Sequence, residues 1–444
     1  MNEVESGIAP VAVATAVEPA QSTSLAERWY VLIMMCLVYT LSIADRYVVS
    51  TVLDPIKNEL HLSNFGVALL TGMAFGVFYI VLGFPLSWLI DRYNRRRIIG
   101  ACLVLWSAMT AVCGLARTPF EFFLARVGVT VGEAGGTPGA NSILSDYFPA
   151  TRRAMALTVF SLGAPIGAWL GYNVAGAIAD DHGWRAVFFV LGLGGVPAGF
   201  AVWFTVREPK RGGLDCEGDD RAPTVKETLR FMWQQRSAVH VMMGTAVCAL
   251  WGWGLMYWTQ AFLQRTYHLN VAQASGVTEW MHLLGGGIAT VVTGWIMARS
   301  TMVDARRIVW LLGTGIGIAT VASGVVYYTR DLTVAKAALW IFIPAIYFYI
   351  GPGFGLLNNL APCRMRAMFC AMVLFLANLG NLVITPNVIG ALNDWFLRYN
   401  LSEADALRLA MLCIVPTGFW ATAHLFLSAR DILKDQQRAR TFPY

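Results

Sequence analysis

Runs of about 20 apolar residues recur along the whole chain, and they restrict its fold more than any other feature of the sequence. Each run is long enough to cross a hydrocarbon core of roughly 30 Å as a helix. Only 14% of the residues are charged, whereas about a quarter are charged in soluble domains. The sequence therefore predicts an all-α membrane protein with twelve transmembrane helices. They lie near 29-53, 64-90, 97-116, 119-147, 153-178, 184-206, 238-263, 274-298, 307-329, 334-358, 365-391 and 404-429.

The twelve runs form two groups of six, separated by the longest polar segment between them. The first residues are rich in Ala, Val and Ser and lack the basic start of a signal peptide, which favours a flexible tail. We predict a flexible cytoplasmic tail at 1-27, an N-terminal six-helix half at 28-206, a cytoplasmic inter-half loop at 207-237, a C-terminal six-helix half at 238-430 and a cytoplasmic tail at 431-444.

The 33 Lys and Arg residues are distributed unevenly about the predicted helices: 23 lie in the tails and inner loops, 8 in outer loops and 2 inside helices. Positive charge collects on the cytoplasmic side of membrane proteins. We therefore expect a multi-pass protein of the cell (inner) membrane with both termini in the cytoplasm. The net charge of +6 is then an orientation signal and does not indicate nucleic-acid binding.

The two groups of helices carry an internal repeat with a spacing of about 213 residues. Three matches occur at nearly this spacing: Pro149 and Pro362, each followed four residues later by Arg-Ala-Met; the segments 173-177 and 387-391; and Asp91 with Asp304. Repeated halves are common among transporters, whose substrate sites lie at the interface between the repeats. The repeat predicts two pseudo-symmetric six-helix halves.

The short loop after the second predicted helix contains a recognisable motif. The residues are Ser87, Trp88, Leu89, Ile90, Asp91, Arg92, Tyr93, Asn94, Arg95, Arg96 and Arg97. This run resembles the G-x-L-A-D-R-x-G-R-R signature of the major facilitator superfamily, with Ser87 and Asn94 in place of its two glycines. The resemblance implies the major facilitator fold and a cytoplasmic gate, in which Asp91, Arg92, Arg95 and Arg96 latch the two halves together. The alternative is that these basic residues only orient the chain in the membrane.

Four ionisable residues fall inside predicted helices: Asp45 and Arg46 in the first, and Arg126 and Glu133 in the fourth. Charges at membrane depth are costly and commonly functional. At a rise of about 1.5 Å per residue, Asp45 and Arg126 come to similar depths, and Glu133 lies two turns deeper on the same helix face as Arg126. We predict an ion pair between Asp45 and Arg126, with Arg46 and Glu133 nearby.

These four residues are predicted to bind substrate and to couple transport to protons. A buried carboxylate can take up and release a proton, and Glu133, flanked by glycines, is our first candidate for that role, with Asp45 as its rival. Buried ion pairs are weak stabilisers compared with apolar packing, so their presence calls for another reason. The alternative is a neutral quartet that only pins two helices together.

The second half lacks these charges and is instead rich in aromatic residues. Possible cavity-wall residues are Trp251, Tyr257, Trp258 and Tyr347, together with the polar Asn378 and Asn381. Aromatic residues in membrane helices also serve packing and interface belts, so both interpretations stay open. If these residues do line a cavity, one wall is charged and the other aromatic, which suits an amphiphile with a polar or ionic head.

Several segments together resemble the spinster-like branch of the superfamily, the presumed lysolipid and sphingolipid transporters. They lie mainly in the first half: 44-47, 91-95, 131-134, 165-172 and 207-212. The resemblance implies that Asp45, Arg46, Arg126 and Glu133 form a substrate and proton site.

The sequence therefore favours a proton-coupled secondary transporter that works by alternating access on a lipid-like amphiphile. Proton-coupled transport of organic anions, metabolites or drugs is the alternative, and a non-transporting membrane sensor is a weaker one. The chain lacks the nucleophile, phosphate-loop and metal-ligand motifs of an enzyme or an ATP-driven pump. We expect no metal and no cofactor other than the proton gradient. The expected partners are a small-molecule or lipid substrate and membrane lipids, with the monomer as the working unit.

Overall fold

The computed structural model describes residues 24–209, 224–298, 304–362 and 365–441. Regular structure in these ranges is helical, with no strand. We call the membrane-crossing stretches spans 1 to 12. Spans 1 to 4 are Leu25–Thr51; Asn64–Ala68 with Leu69–Met73 and Ala74–Arg92; Arg95–Cys113; and Pro119–Tyr147. The helix Gly163–Thr205 is divided at Gly183: its first part, with Ala150–Ser161 before it, is span 5, and its second part is span 6. Spans 7 to 12 are Arg236–Tyr267; Val271–Trp280 with Met281–Gly286 and Gly287–Ala298; Ala305–Tyr328; Leu332–Phe348 with Ile350–Leu360; Arg366–Asn378 with Leu379–Ile384 and Thr385–Leu397; and Glu403–Ile414 with Thr417–Ser428.

Ten helical stretches of the described chain are long and apolar enough to cross a membrane. One of them, Met155–Thr205, contains two spans, because the backbone leaves helical geometry at Gly183, where φ is 78°. Such a φ is accessible to glycine at little cost, so Gly183 makes the turn between spans 5 and 6. Pro119–Tyr147, with 29 residues and charges at its centre, is the remaining span. The predicted all-α fold with twelve membrane helices is confirmed.

Polar capping residues explain why several spans begin within a few residues of the predicted positions. Ser24, Asn94, Thr118 and Ser402 each precede a span, and each side chain accepts a hydrogen bond from a backbone N–H three residues later. This contact satisfies one of the donors that the first helical turn leaves free. Asn94 stands where the superfamily motif has glycine, so its role here is to cap span 3.

Two segments predicted as loop and tail contain helices. Val225–Trp233 lies in the inter-half segment, where Thr224 and Glu227 form a capping box. Ile432–Arg440 follows span 12. Both helices form because they bury apolar residues against the C-terminal half, as the buried Phe231 shows. The rest of the predicted tails and loop, at 1–23, 210–223 and 442–444, lies outside the described residues.

The halves meet along two edges of the bundle. Span 5 packs against span 8, and span 2 packs against span 11. We call spans 1 to 6 the N half and spans 7 to 12 the C half. The outer end is the end of the bundle opposite Leu25, where span 1 begins, and the inner end is the other one. The charged residues of spans 1 and 4 lie inside the N half, where they bond to each other.

Candidate functional site

Spans 1 and 4 each carry one acid and one base, and the structure joins them in two ion pairs. The pair predicted from the sequence is present: Nη1 of Arg126 lies 2.7 Å from Oδ2 of Asp45. The hydroxyl group of Thr110 in span 3 donates to the other carboxylate oxygen at 2.6 Å. The two charged side chains are only 1% and 2% exposed, so solvent does not reach this pair.

The second pair joins Arg46 to Glu133. The guanidinium donates through Nε and Nη2 to Oε2 of Glu133, at 3.1 and 3.0 Å. The Glu133 side chain is fully buried, and its Oε1 has no hydrogen-bond partner among the described residues. The Arg46 side chain, in contrast, is 23% exposed. The second pair is therefore partly accessible through Arg46, whereas the first pair is fully enclosed.

Helix geometry explains this pairing. Arg126 and Glu133 are seven residues apart, which places them on the same face of span 4, towards span 1. Asp45 and Arg46 are neighbours and point about 100° apart, so they take different partners. The quartet thus forms two bridges between spans 1 and 4, and Glu133 lies two helical turns further along span 4 than Arg126.

Two aromatic residues of span 2 complete the site and were not identified from the sequence. The guanidinium of Arg46 lies 5.1 Å from the ring centre of Phe75 and 4.9 Å from that of Tyr79. The guanidinium of Arg126 lies 5.0 Å from the ring centre of Phe75. Cation–π contacts of this kind stabilise a guanidinium away from water. The i,i+4 spacing of the two aromatic residues was a usable signal, whereas Thr110 gave none.

This arrangement gives the two bridges different chemical possibilities. Loss of charge on Glu133 would free Arg46, which is already partly exposed and has two aromatic faces beside it. The freed guanidinium could bind a carboxylate or phosphate group through paired N–H donors. Loss of charge on Asp45 would instead leave Arg126 without a counter-ion in a dry interior, which is far more costly.

Two of the predicted cavity-wall residues pack inside the C half. Trp251 is fully buried and donates from Nε1 to Oγ of Ser323 at 3.2 Å. Trp258 is also fully buried and donates to the carbonyl oxygen of Pro386 at 3.0 Å. Because both indole N–H groups bind within their own half, these residues support the core in this conformation and do not face the quartet.

The other predicted wall residues lie nearer the N half. The hydroxyl of Tyr257 hydrogen-bonds with that of Thr71 in span 2. Tyr347 hydrogen-bonds with Nδ1 of the buried His282 at 2.7 Å, and the His282 ring lies 5.1 Å from that of Tyr47. An aromatic surface of the C half therefore meets span 1 at the residue that follows Arg46.

The two asparagines of span 11 differ in their surroundings. Both Asn378 and Asn381 are partly buried. Asn381 lies in the π-helical segment Leu379–Ile384, and its side-chain oxygen has no partner among the described residues. A π-helical turn is frequent at functional sites, so Asn381 stays a candidate for substrate contact.

The arginines of the predicted cytoplasmic gate bind mainly within the N half. Arg95 is buried and bonds to Asp146 at 2.5 Å and to Glu208 at 2.7 Å. Arg96 donates to the carbonyl oxygen of Val206 at 2.8 Å. These contacts tie the start of span 3 to the ends of spans 4 and 6, and so in this conformation they do not latch the two halves.

The remaining gate residues complete this description. The guanidinium of Arg92 stacks over the ring of Trp88, 4.2 Å from its centre. The backbone of Asp91 lies in span 2, and its side chain lies outside the described part of the structure.

The outer end is closed by polar contacts between the halves. Arg265 of span 7 donates to Asp54 at 2.9 Å and to Glu403 at 3.0 Å, and Lys57 bonds to Glu403 at 3.0 Å. Asp54 and Lys57 belong to the short helix Leu53–Glu59 that follows span 1. The structure is therefore sealed at the end away from Leu25.

Comparison with known proteins decides the family. The model of the Major Facilitator Superfamily matches residues 35–385. The chain belongs to the major facilitator superfamily. The fold and the relatives are those of transporters of this superfamily, and not of enzymes.

The similar proteins narrow the resemblance to one branch of the superfamily. An MFS-type efflux pump of Mycolicibacterium smegmatis is 28% identical over 87% of this chain and 89% of its own length. Protein spinster of Drosophila melanogaster is 28% identical in a match that covers 56% of this chain and 41% of that protein. A solved bacterial homologue of the human lysosomal transporter Spinster, inward-facing and unoccupied, superposes with a TM-score of 0.81 at 29% identity. That match covers 93% of this chain and 99% of the homologue.

These matches confirm a superfamily transporter of the spinster-like type. Superposition on an inward-facing structure also agrees with the sealed outer end. Transporters of the major facilitator superfamily work by alternating access, and in this structure the outer end is the closed one.

Proposed function

We propose that this superfamily member is a proton-coupled transporter in which Glu133 carries the proton and Arg46 carries the substrate. The observation that supports this most is the asymmetry of the Arg46–Glu133 bridge. Its carboxylate is fully buried, with one oxygen that has no hydrogen-bond partner in the described part of the chain, and its guanidinium is partly exposed. A proton on Glu133 would remove the charge that holds Arg46 and make the guanidinium available.

In the proposed cycle the two bridges have separate tasks. Asp45 and Arg126 stay paired and keep spans 1 and 4 together, because separating them in a dry interior is costly. The bridge between Arg46 and Glu133 opens and closes with each proton. Asp45 stays the alternative proton carrier, and the stability comparison in the Discussion separates the two.

The proposed substrate is a lipid-like amphiphile of the lysophospholipid or sphingolipid type, with an anionic or zwitterionic head. Arg46 would bind the head, and the aromatic surface around Tyr347, Trp253 and Tyr47 would contact the apolar body. Likeness to a bacterial spinster homologue supports this choice. A monoanionic metabolite would also satisfy Arg46, and likeness to an efflux pump favours a drug as the next alternative.

Transport into proteoliposomes with an imposed pH gradient tests the proposal. Three probes represent the three substrate classes: a fluorescent lysophosphatidylcholine, radiolabelled gluconate and ethidium. We expect uptake of the lysolipid to rise with the gradient in the wild-type protein, and Glu133→Gln to abolish that rise. Glu121→Gln is the matched control, because Glu121 is an exposed carboxylate on the first turn of the same span.

The outcomes are distinct. If Glu133→Gln keeps both the rate and the pH dependence of the wild type, the coupling role of Glu133 is wrong. Gradient-driven uptake of gluconate or ethidium without the lysolipid would replace the proposed substrate class. Absence of transport for all three probes would favour the sensor hypothesis.

We further propose that the protein lies in the inner membrane of the cell with both termini in the cytoplasm, and that the monomer is the working unit. The excess of Lys and Arg at the inner end supports this orientation. An epitope tag after Tyr444 should bind antibody only after the cells are permeabilised, and binding on intact cells would reverse the orientation.

A further inference from the structure

The outer ends of spans 5 and 11 carry the same sequence pattern. Residues 173–180 read Asn-Val-Ala-Gly-Ala-Ile-Ala-Asp, and residues 387–394 read Asn-Val-Ile-Gly-Ala-Leu-Asn-Asp. The shared Asn, Val, Gly, Ala and Asp lie 214 residues apart, which is the spacing of the internal repeat. The pattern therefore places one glycine and one aspartate, four residues apart and on one helix face, in each half.

Both aspartates bind the start of a span in the opposite half. Asp180 of span 5 accepts hydrogen bonds from the backbone N–H groups of Val271 and Ala272, at 3.1 and 2.9 Å. These residues begin span 8. The carboxylate thus satisfies two of the backbone donors that the first turn of a helix leaves free, and its charge favours the positive end of the helix dipole.

Asp394 of span 11 makes the equivalent contact with span 2. Its two carboxylate oxygens accept from the backbone N–H groups of Asn64 and Phe65, at 3.1 and 2.8 Å. The Asn64 side chain adds a further hydrogen bond to Asp394 at 2.8 Å. Span 2 continues from Asn64 for 27 residues to Ile90, so this is the start of a full membrane helix.

The two glycines allow these helix starts to approach. A Cβ atom on Gly176 would lie 3.0 Å from Cβ of Ser275 in span 8. A Cβ atom on Gly390 would lie 2.8 Å from the carbonyl oxygen of Asn64 and 3.0 Å from Cα of Phe65. Real Cβ atoms rarely come so close, so any larger residue would push the opposite half away at both positions.

We propose that residues 173–180 and 387–394 form a duplicated latch, in which Asp180 and Asp394 are positioning residues that hold the outer end closed. Each latch is a carboxylate that caps a helix of the other half, placed by a glycine one turn earlier. Opening the outer end replaces these hydrogen bonds by water. The proposal rests on the alternating access of the superfamily and requires neither the proposed substrate nor proton coupling.

The latch differs from the ion pairs around Arg265. Those pairs join charged side chains at the ends of spans 1, 7 and 12, and the internal repeat does not reproduce them. The duplicated latch instead joins side chains to backbone donors at both edges where the halves meet. Loss of one latch should therefore shift the whole equilibrium between sealed and open outer ends, and not only the contact that is lost.

Cysteine labelling of the purified full-length protein in detergent tests the proposal. Ser275→Cys is the outer reporter, because Ser275 is 1% exposed and lies against Gly176. Thr137→Cys is the inner reporter, because Thr137 is partly exposed and lies one turn beyond Glu133 towards the inner end. The probe is a charged maleimide, and labelling of the same protein without the reporter is subtracted.

We expect Asp394→Ala to raise the labelling rate of Ser275→Cys roughly three- to tenfold, since one capped helix terminus loses a charge-assisted contact. Asp394 lies on the other edge of the bundle, so the effect cannot be local. The same substitution should lower the labelling rate of Thr137→Cys, because the outward-open state closes the inner end. Asp394→Asn keeps an acceptor oxygen and should give an intermediate rate.

Asp331→Ala is the matched control. Asp331 also lies at the outer end and caps a span, accepting from the N–H of Thr333 at 2.7 Å, but that span belongs to its own half. We expect it to change neither reporter. An unchanged rate at Ser275→Cys, a rise equal to that of the control, or a rise at both reporters, which indicates general loosening, would overturn the proposal.

Discussion

The two bridges of the quartet should differ sharply in what they contribute to stability. We compare Asp45→Asn with Glu133→Gln, which remove one negative charge each and nearly preserve side-chain shape. Asp45 accepts two short hydrogen bonds, from Arg126 and Thr110, in an environment where both charged partners are at most 2% exposed. Arg126 stays charged in proteins, so the Asn variant leaves a buried cation without a counter-ion.

Removal of one partner from a buried ion pair costs about 3–5 kcal/mol, and we expect Asp45→Asn to fall in this range. Glu133→Gln should cost about 1–2 kcal/mol, because Arg46 is already 23% exposed and can turn to water while it keeps its aromatic contacts. Thr110→Val, which removes one hydrogen bond and no charge, should cost about 1 kcal/mol.

The assay is reversible denaturation of the purified protein in mixed micelles, with each variant measured at neutral pH. The double variant Asp45→Asn with Arg126→Gln should recover part of the free energy of unfolding that Asp45→Asn loses. Such a recovery would indicate that the single variant is destabilised mainly by the unpaired Arg126 cation. A cost for Asp45→Asn no larger than that for Glu133→Gln would contradict the division into a permanent and a working bridge. It would also make Asp45 the better candidate for the proton carrier.

Three further predictions concern the ends of the bundle. Arg185 hydrogen-bonds to Glu59 and holds the pKa of the Glu59 carboxyl below its ordinary value of 4.5. The stability that this hydrogen bond contributes is present at neutral pH and is lost as the pH falls through the lowered pKa of Glu59. The melting temperature of Glu59→Gln should therefore lie slightly below that of the wild type at pH 7, and the difference should vanish in acid. Asn94→Ala should destabilise the protein by about 1 kcal/mol in thermal melts, because span 3 loses its cap, whereas Asn94→Asp should not. Arg95→Gln should cost about 3 kcal/mol or more, since it leaves two acidic partners in a nearly buried site, and Arg95→Lys should recover only part of this in the same melts.

The sequence predicted the helices and the first ion pair correctly because both depend on local regularities. Apolar runs define the spans, and a rise of 1.5 Å per residue is enough to match the depths of Asp45 and Arg126. The sequence placed Arg46 and Glu133 near this pair, and only the structure shows that they bond to each other. The i,i+4 spacing of Phe75 and Tyr79 indicates that both lie on one face of span 2. Which helices that face contacts depends on how three helices pack, and the pattern in one helix does not specify that.

Residues with two plausible roles were harder to predict. Trp251 and Trp258 are residues of a type that commonly lines cavities. Only their indole N–H groups, which donate to Ser323 and Pro386 of the same half, show that they support the C half. The partners of the gate arginines Arg95 and Arg96 are expected to depend on which end of the bundle is open, and the sequence does not specify that. The repeat at 173–177 and 387–391 was visible in the sequence. Its role became clear only from the structure, which shows the starts of spans 8 and 2 packed against it.

Asn64 has a consequence for how the outer end opens. Its side-chain oxygen accepts from Arg265 at 2.9 Å, while its amide nitrogen donates to Asp394 at 2.8 Å. One planar amide is thus shared by the ion pairs around Arg265 and by the latch at Asp394. If either hydrogen bond of the Asn64 amide breaks, the amide no longer holds the correct position for the other one. The outer end should therefore open in a single cooperative step. Replacement of Asn64 by Ala would divide that event into two independent steps, and partly opened intermediates would then become populated.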